Sequence, residues 1–201
     1  MTQRSLILGL IVFCTYTVAD AQSFFSDAKP VPPADTSAAG NIELEAADLN
    51  RDGNVDFLSV ASLANTITFF LGDGNGGFGP EQTITDNFQR PKEVLAADLD
   101  GDGDMDVIAS SQLDNKISCF FNDGDAVFGA EQVITTALIG IEDVHVSDVD
   151  GDGDNDVLSA SVFDDKAAWY ANNGSGSFGA QQVISTSSSG TNFITTFDID
   201  G

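Results

Sequence analysis

The chain has 201 residues, of which 32 are Asp or Glu and only 7 are Lys or Arg, so its formal net charge is -25. A protein this acidic is repelled by nucleic acid and by anionic membrane surfaces, which argues against both as partners. Divalent cations and basic partners remain electrostatically compatible. The length suits an ordinary domain with a substantial core.

The N-terminus has the features of a secretory signal peptide over residues 1–21. Arg4 supplies a positive start, residues 6–18 are mostly apolar, and Ala19-Asp20-Ala21 has the small residues of a cleavage site. A membrane anchor is the alternative, but the apolar run is shorter than the roughly 20 residues that span a bilayer. We therefore predict a secreted, extracellular or cell-surface protein, with no direct membrane insertion after cleavage.

After cleavage the chain would keep one of its two cysteines, because Cys14 lies in the predicted signal peptide. No intramolecular disulfide can then form, so stability must come from packing and bound metal. Cys119 occupies the position that other repeats give to Phe69 and Trp169. We therefore predict a buried strand residue and not a nucleophile.

The mature chain divides into a short entry segment and a repeat region. Residues 22–40 contain several prolines and no apolar period, which predicts a linker. From residue 41 the sequence repeats every 50 residues without a gap, giving units 41–90, 91–140 and 141–190 and the start of a fourth at 191–201.

Each unit carries four short strand-like runs. In the first unit they cover residues 42–47, 57–61, 66–70 and 78–84, and they recur in the later units. Asp-Gly or Asn-Gly pairs between the third and fourth runs predict tight hairpin turns. Four antiparallel strands per repeat are typical of a propeller blade, so we predict an all-β fold of β-propeller blades. A solenoid of stacked hairpins is the alternative.

The sequence contains three full predicted blades and the start of a fourth, whereas propellers take about four to eight blades. The chain also ends inside an acidic cluster. We therefore expect a fragment of a larger propeller. The alternative is a complete protein with open edge strands, which would favour aggregation.

Each unit contains a Gly-centred cluster of acidic and amide side chains. Numbered from the first Asp, oxygen-bearing residues stand at positions 1, 3, 5, 7 and 9, and Gly stands at 6. The predicted metal ligands are Asp48, Asn50, Asp52, Asn54, Asp56, Asp98, Asp100, Asp102, Asp104, Asp106, Asp148, Asp150, Asp152, Asp154, Asp156, Asp198 and Asp200. Position 7 is expected to contribute its backbone carbonyl, because Gly at position 6 permits a sharp bend. Hard oxygen ligands in this number favour Ca²⁺, in three complete loops and a truncated fourth.

Two alternative interpretations fit these clusters less well. An EF-hand needs flanking helices and Glu at position 12, where this chain has Ser59, Ala109 and Ser159. A solvated turn needs only one or two such residues. Within the set, Asn50 lowers the charge of the first cluster and Arg51 adds a cation where the others have Gly. We therefore expect the first loop to bind calcium most weakly.

Three features of the repeats are shared with a known family. They are the acidic stretch from Asp98 to Asp106, the run from Asp165 to Tyr170, and the Phe-Gly pairs that begin at Phe78, Phe128 and Phe178. With these features residues 41–201 resemble FG-GAP/VCBS-type repeats, which are related to those of the integrin α-subunit β-propeller. The resemblance implies that the acidic loop joins the first two strands of a blade and holds calcium, and that propellers are typically seven-bladed. Three full repeats and an incomplete Gly-Ala-Pro element depart from the family and leave the ring size open.

The residues indicate a binding module and not an enzyme. His145 is the only histidine, it lies in a predicted strand, and no Ser or Cys motif accompanies it. Carboxylates committed to calcium stay ionised, so they cannot easily act as the general acid of a glycosidase. We predict a calcium-stabilised module for extracellular binding or adhesion, whose partner is an unknown protein or glycan.

Two other functions remain open: a non-catalytic targeting region of a larger extracellular glycan-degrading enzyme, and a purely structural extracellular protein. Aromatic residues recur at two adjacent positions of the third strand, Phe69 and Trp169 at one and Phe120 and Tyr170 at the next, and they predict packing between blades in preference to sugar stacking. Asn173-Gly174-Ser175 is a glycosylation sequon at a predicted hairpin tip and is equally well explained as a turn.

Overall fold

The computed structural model describes residues 42–187 and 190–197, so the predicted signal peptide, the linker, Asp198 and Asp200 lie outside the described residues. Within these ranges the regular elements are twelve β-strands. Their bounds are β1 Ile42–Ala47, β2 Asp56–Ala61, β3 Thr66–Phe70, β4 Gln82–Thr85, β5 Pro91–Ala97, β6 Asp106–Ser111, β7 Lys116–Phe120, β8 Gln132–Thr135, β9 Ile141–Ser147, β10 Asp156–Ser161, β11 Lys166–Tyr170 and β12 Gln182–Ser185.

The strands form three four-stranded antiparallel sheets, in the orders β1-β2-β3-β4, β5-β6-β7-β8 and β9-β10-β11-β12. Each sheet corresponds to one sequence repeat and is called here blade 1, 2 or 3. The prediction of an all-β fold built from four-stranded propeller blades is therefore confirmed. Within residues 42–187 and 190–197 the three blades do not close into a ring.

The connection between the third and fourth strands begins with the predicted tight turn. Phe78 forms an isolated bridge with Gly72, and the Asp73 N–H donates to the Gly77 carbonyl at 2.9 Å. The Asp73 Oδ1 also accepts the N–H groups of Asn75 and Gly77 at 2.8 Å each, which supports this turn. Regular pairing is then interrupted, so β4 begins only at Gln82, whereas the fourth run was predicted to begin at Phe78.

The hydrophobic core lies between consecutive blades. Leu58 of blade 1 belongs to the same buried cluster as Phe120 of blade 2. A second cluster joins Ile108 and Cys119 of blade 2 to Val157 of blade 3. Cys119 is fully buried, which confirms the prediction, and burial raises the pKa of its thiol to about 12. Its reactive thiolate form is therefore disfavoured.

Aromatic side chains also pack across the boundary between blades 1 and 2. The rings of Phe69 and Phe128 meet edge to face with their centroids 5.4 Å apart. The rings of Phe88 and Phe120 lie 5.9 Å apart. Packing between blades is therefore confirmed for Phe69 and Phe120. In the part of the chain that the structure describes, no helix is long and apolar enough to cross a membrane.

Candidate metal-binding loops

Each acidic cluster lies in the loop between the first and second strands of its blade, called here loop 1, 2 or 3. Strand pairing closes these loops at Ala47–Asp56, Ala97–Asp106 and Ser147–Asp156. The position 9 aspartate is therefore the first residue of the second strand, whereas position 1 directly follows the first strand. A cation bound by both would connect the ends of two paired strands.

Hydrogen bonds to the first aspartate curve each loop. In loop 2, Asp98 Oδ1 accepts the N–H of Gly101 at 2.8 Å, and its Oδ2 accepts the N–H of Gly103 at 3.0 Å. Asp148 makes the equivalent two bonds in loop 3. Gly103 has a φ of 87°, which side chains disfavour, so glycine at position 6 permits the bend as predicted.

The position 9 aspartate is the most buried carboxylate of the loop. Asp106 is fully buried, and its two oxygens accept the N–H groups of Leu99 and Asn122, each at 2.9 Å. Burial raises the pKa of Asp106 to about 6, although these two donors act in the opposite direction. Asp56 and Asp156 hold the equivalent pairs of N–H groups in their own blades.

Loops 2 and 3 each bring three carboxylates together. Oxygen atoms of the ligands at positions 1, 3 and 9 lie within 4.8 Å of one another in two groups, Asp98, Asp100 and Asp106 in loop 2 and Asp148, Asp150 and Asp156 in loop 3. Two oxygens that bind one calcium ion at 2.3–2.6 Å lie at most about 5.2 Å apart, so both groups fit this ion. Positions 5 and 7 lie outside these groups, and their role as ligands stays a prediction.

The charges within these groups also favour a cation. Burial, and then the charge of Asp102, raises the pKa of Asp100. The pKa of Asp150 is raised in the same way by burial and by Asp152. A raised pKa means that the ionised form is disfavoured, and a bound divalent cation would reverse this effect.

Loop 1 differs from the other two in one bond to its position 5 aspartate. Asp52 accepts the Asn54 N–H at 2.8 Å, as Asp102 and Asp152 accept the equivalent N–H groups, but it also accepts the Asn50 side-chain amide at 3.1 Å. These bonds, the first of them above all, lower the pKa of Asp52. Loop 1 therefore stabilises this charge with its own donors. Its weaker calcium binding stays a prediction.

The Arg51 side chain of loop 1 contacts loop 2. Its Nη2 donates to the Asp102 carbonyl at 2.9 Å, and its Nε forms an ion pair with Asp104. The guanidinium group therefore partly neutralises the negative charge of loop 2. The sequence position of Arg51, which lies in loop 1, does not indicate this contact.

Sequence reasoning missed an asparagine that connects neighbouring loops. Asn122 follows β7, and its Nδ2 donates to the carbonyls of Leu49 in loop 1 and Met105 in loop 2, at 2.7 and 3.1 Å. Asn172 occupies the same position in blade 3, whereas blade 1 has Gly72. The recurrence of Asn just before the Asp-Gly or Asn-Gly pair was the available signal.

A second group of acidic residues, also missed, lies on the first strands of the blades. Glu43, Glu93 and Asp143 occupy equivalent positions of β1, β5 and β9. Glu93 Oε2 accepts the Val144 N–H of the next blade at 2.7 Å, and Asp143 Oδ2 accepts the Ile194 N–H at 2.6 Å. These bonds connect consecutive repeats.

Proximity between these carboxyl groups changes their ionisation. Burial, the hydrogen bond with Asp143 and the charge of Glu43 raise the pKa of Glu93 far above its ordinary range. Burial and the charges of Asp143 and Glu45 raise the pKa of Glu43 to about 7, although Lys92 acts in the opposite direction. These effects favour the protonated form of the Glu93 carboxyl group.

His145 and Asn173 occupy ordinary structural positions. His145 lies in β9, and its Nε2 is 3.3 Å from Thr196 Oγ1, so the ring has a polar partner as expected of a strand histidine. The exposed Asn173 accepts the N–H groups of Ser175 and Ser177 through its Oδ1, at 3.1 and 3.2 Å. These bonds support the interpretation of Asn173 as a turn residue.

The strands and loops define an all-β repeat protein built from propeller-type blades, each with an acidic loop between its first two strands. The chain belongs to the FG-GAP-like repeat family, whose model matches residues 48–109, 98–159 and 148–201. No curated protein is similar enough to count as a match.

Among solved structures, the fold is similar to a lectin of Agrocybe aegerita, described as specifically recognising non-reducing terminal N-acetylglucosamine. The TM-score is 0.57 at 23% sequence identity, and the match covers 74% of this chain. The match spans only 39% of the length of the lectin. At this identity the similarity establishes a shared fold.

Proposed function

We propose that the chain is a secreted, calcium-stabilised propeller module that binds an extracellular glycan and has no catalytic role. The proposal of bound calcium rests on one observation: in each of loops 2 and 3, oxygen atoms of three carboxylates lie within 4.8 Å of one another. Calcium would offset the repulsion among these carboxylates. No zinc or copper site is proposed, because the clusters contain neither Cys nor His.

Calcium would stabilise the fold through the position of its ligands. In loop 2, Asp98 and Asp100 follow β5, whereas Asp106 is the first residue of β6. An ion held by these residues would bind the folded state, in which the ligands are brought together, in preference to the unfolded chain, and it would therefore stabilise the fold and oppose separation of the two strands. The same argument applies to Asp148, Asp150 and Asp156 in loop 3.

Three observations support an extracellular glycan as the ligand. The fold is shared with a lectin, repeats of this family are typically extracellular, and residues 1–21 have the pattern of a signal peptide. The net charge of -25 disfavours sulfated or sialylated glycans, because like charges repel. We therefore expect a neutral glycan or one that ends in an N-acetylated amino sugar.

A glycan array probed in calcium and again in EDTA tests this proposal. We expect binding to neutral or N-acetylglucosamine-terminated glycans in calcium, and loss of that binding in EDTA. The matched variant Asp100→Asn/Asp150→Asn copies the Asn that loop 1 has at position 3. This variant should bind the glycans weakly even in calcium. Absence of glycan binding under both conditions would refute the glycan proposal, and binding only to anionic glycans would contradict the electrostatic argument.

A further inference from the structure

Asn172 is a buried residue that connects loops 2 and 3. Only 4% of its surface is exposed. Its Nδ2 donates to the Leu99 carbonyl of loop 2 at 2.7 Å and to the Asn155 carbonyl of loop 3 at 3.0 Å. Its Oδ1 accepts the Asn173 N–H at 2.8 Å. Both polar atoms of the side chain are therefore engaged, and the amide is held in one orientation.

The two carbonyls that Asn172 contacts belong to residues adjacent to candidate ligands. Leu99 lies between Asp98 and Asp100, and Asn155 immediately precedes Asp156. The backbone N–H of Asn172 also donates to Asp156 Oδ1 at 2.8 Å. One residue therefore contacts the ligand-bearing backbone of loop 2 and a candidate ligand of loop 3.

Two further donors of blade 3 reinforce this contact with loop 2. Asn155 Nδ2 donates to the Asp98 carbonyl at 2.9 Å, and the Gly176 N–H donates to the Leu99 carbonyl at 3.1 Å. Successive carbonyls of loop 2 are thus held by blade 3. Any change in loop 3 that moves Asn155 or Asn172 must also move the backbone that carries Asp98.

We propose that Asn172 is a positioning residue that makes calcium binding at loops 2 and 3 cooperative. An ion in loop 3 would fix Asp156 and, through Asn172 and Asn155, the backbone of loop 2. The ion in loop 2 would then bind at a smaller entropic cost, which gives positive coupling without a large structural change. This inference rests on the proposed binding of calcium.

Calcium titration calorimetry of the full chain tests the inference. All variants carry Asp48→Asn, which weakens loop 1, so that the titration reports on loops 2 and 3. We expect this parent to show a Hill coefficient above one, with a coupling of about fivefold or more in affinity. The variant Asn172→Gly removes the side-chain bonds to the Leu99 and Asn155 carbonyls, and glycine is native at this position as Gly72 in blade 1. Its Hill coefficient should fall clearly below that of the parent.

The control is Asn122→Gly, which removes the equivalent contact between loops 1 and 2 and should keep the Hill coefficient of the parent. If circular dichroism shows that Asn172→Gly does not fold, Asn172→Asp replaces it, because aspartate keeps the volume and removes the Nδ2 donor. Equal Hill coefficients in the parent and in the Asn172 variant would overturn the inferred cooperativity but not the proposed binding of calcium. A parent that binds no calcium would overturn the proposed function as well.

Discussion

Replacement of Asp106 by alanine should lower the free energy of unfolding by about 3 kcal/mol or more, even in the absence of calcium. The variant leaves the buried N–H groups of Leu99 and Asn122 without their acceptors. It also creates a small cavity at the first residue of β6. Urea unfolding in EDTA measures the effect without any contribution from bound metal.

The matched control is Asp102→Ala in the same loop. Asp102 is exposed, and its Oδ1 accepts the Asp104 N–H at 2.8 Å near the surface. Solvent can replace this bond, so the control should lose about 1 kcal/mol or less. Similar losses in both variants would show that burial of the position 9 aspartate does not stabilise the blade in the way we infer.

An increase in pH beyond neutrality should destabilise the protein, and Glu93→Gln should remove most of this dependence. Burial and neighbouring carboxyl groups raise the pKa of Glu43 to about 7, and that of Glu93 still further. A carboxyl group whose folded-state pKa is raised contributes stability below its unfolded value. That stability is lost as the pH rises through the folded value. The loss of stability should therefore begin above pH 4.5, the ordinary pKa of glutamate, and continue past pH 7.

Glutamine at position 93 can preserve the geometry without the charge. Its Oε1 can accept the Val144 N–H, and its Nε2 can donate to Asp143. Glu93→Gln should therefore be more stable than the wild type by about 1–3 kcal/mol at pH 9, with little difference at pH 5. Thermal melts across this range measure the effect. The control, Glu81→Gln, changes an exposed residue and should keep the wild-type slope. An unchanged slope in Glu93→Gln would contradict the prediction.

Features that lie within one repeat could be predicted from the sequence. The third strand was predicted residue for residue in all three blades, because its alternating apolar pattern is bounded on both sides by turn residues. The acidic loops were placed correctly between the first two strands. The start of the fourth strand was not, because pairing at Phe78 is limited to an isolated bridge with Gly72 and regular pairing resumes only at Gln82.

Packing of aromatic residues between blades was predicted, but the hydrogen bonds between repeats could not be. Asn122 bonds to Leu49, 73 residues away, and Glu93 bonds to Val144, 51 residues away. Whether these groups come within hydrogen-bond distance depends on the angle and separation of neighbouring blades, which no pattern within a repeat encodes. Arg51 illustrates the consequence, because the sequence places its charge in loop 1, whereas its guanidinium contacts loop 2.

We propose that calcium binding and folding are coupled through the carboxylates of loops 2 and 3. Thermal melting of the wild type in millimolar calcium and in EDTA tests this coupling most directly. We predict a melting temperature higher in calcium by several degrees or more, and a much smaller difference in Asp100→Asn/Asp150→Asn. Superimposable wild-type melting curves in calcium and in EDTA would contradict the claim.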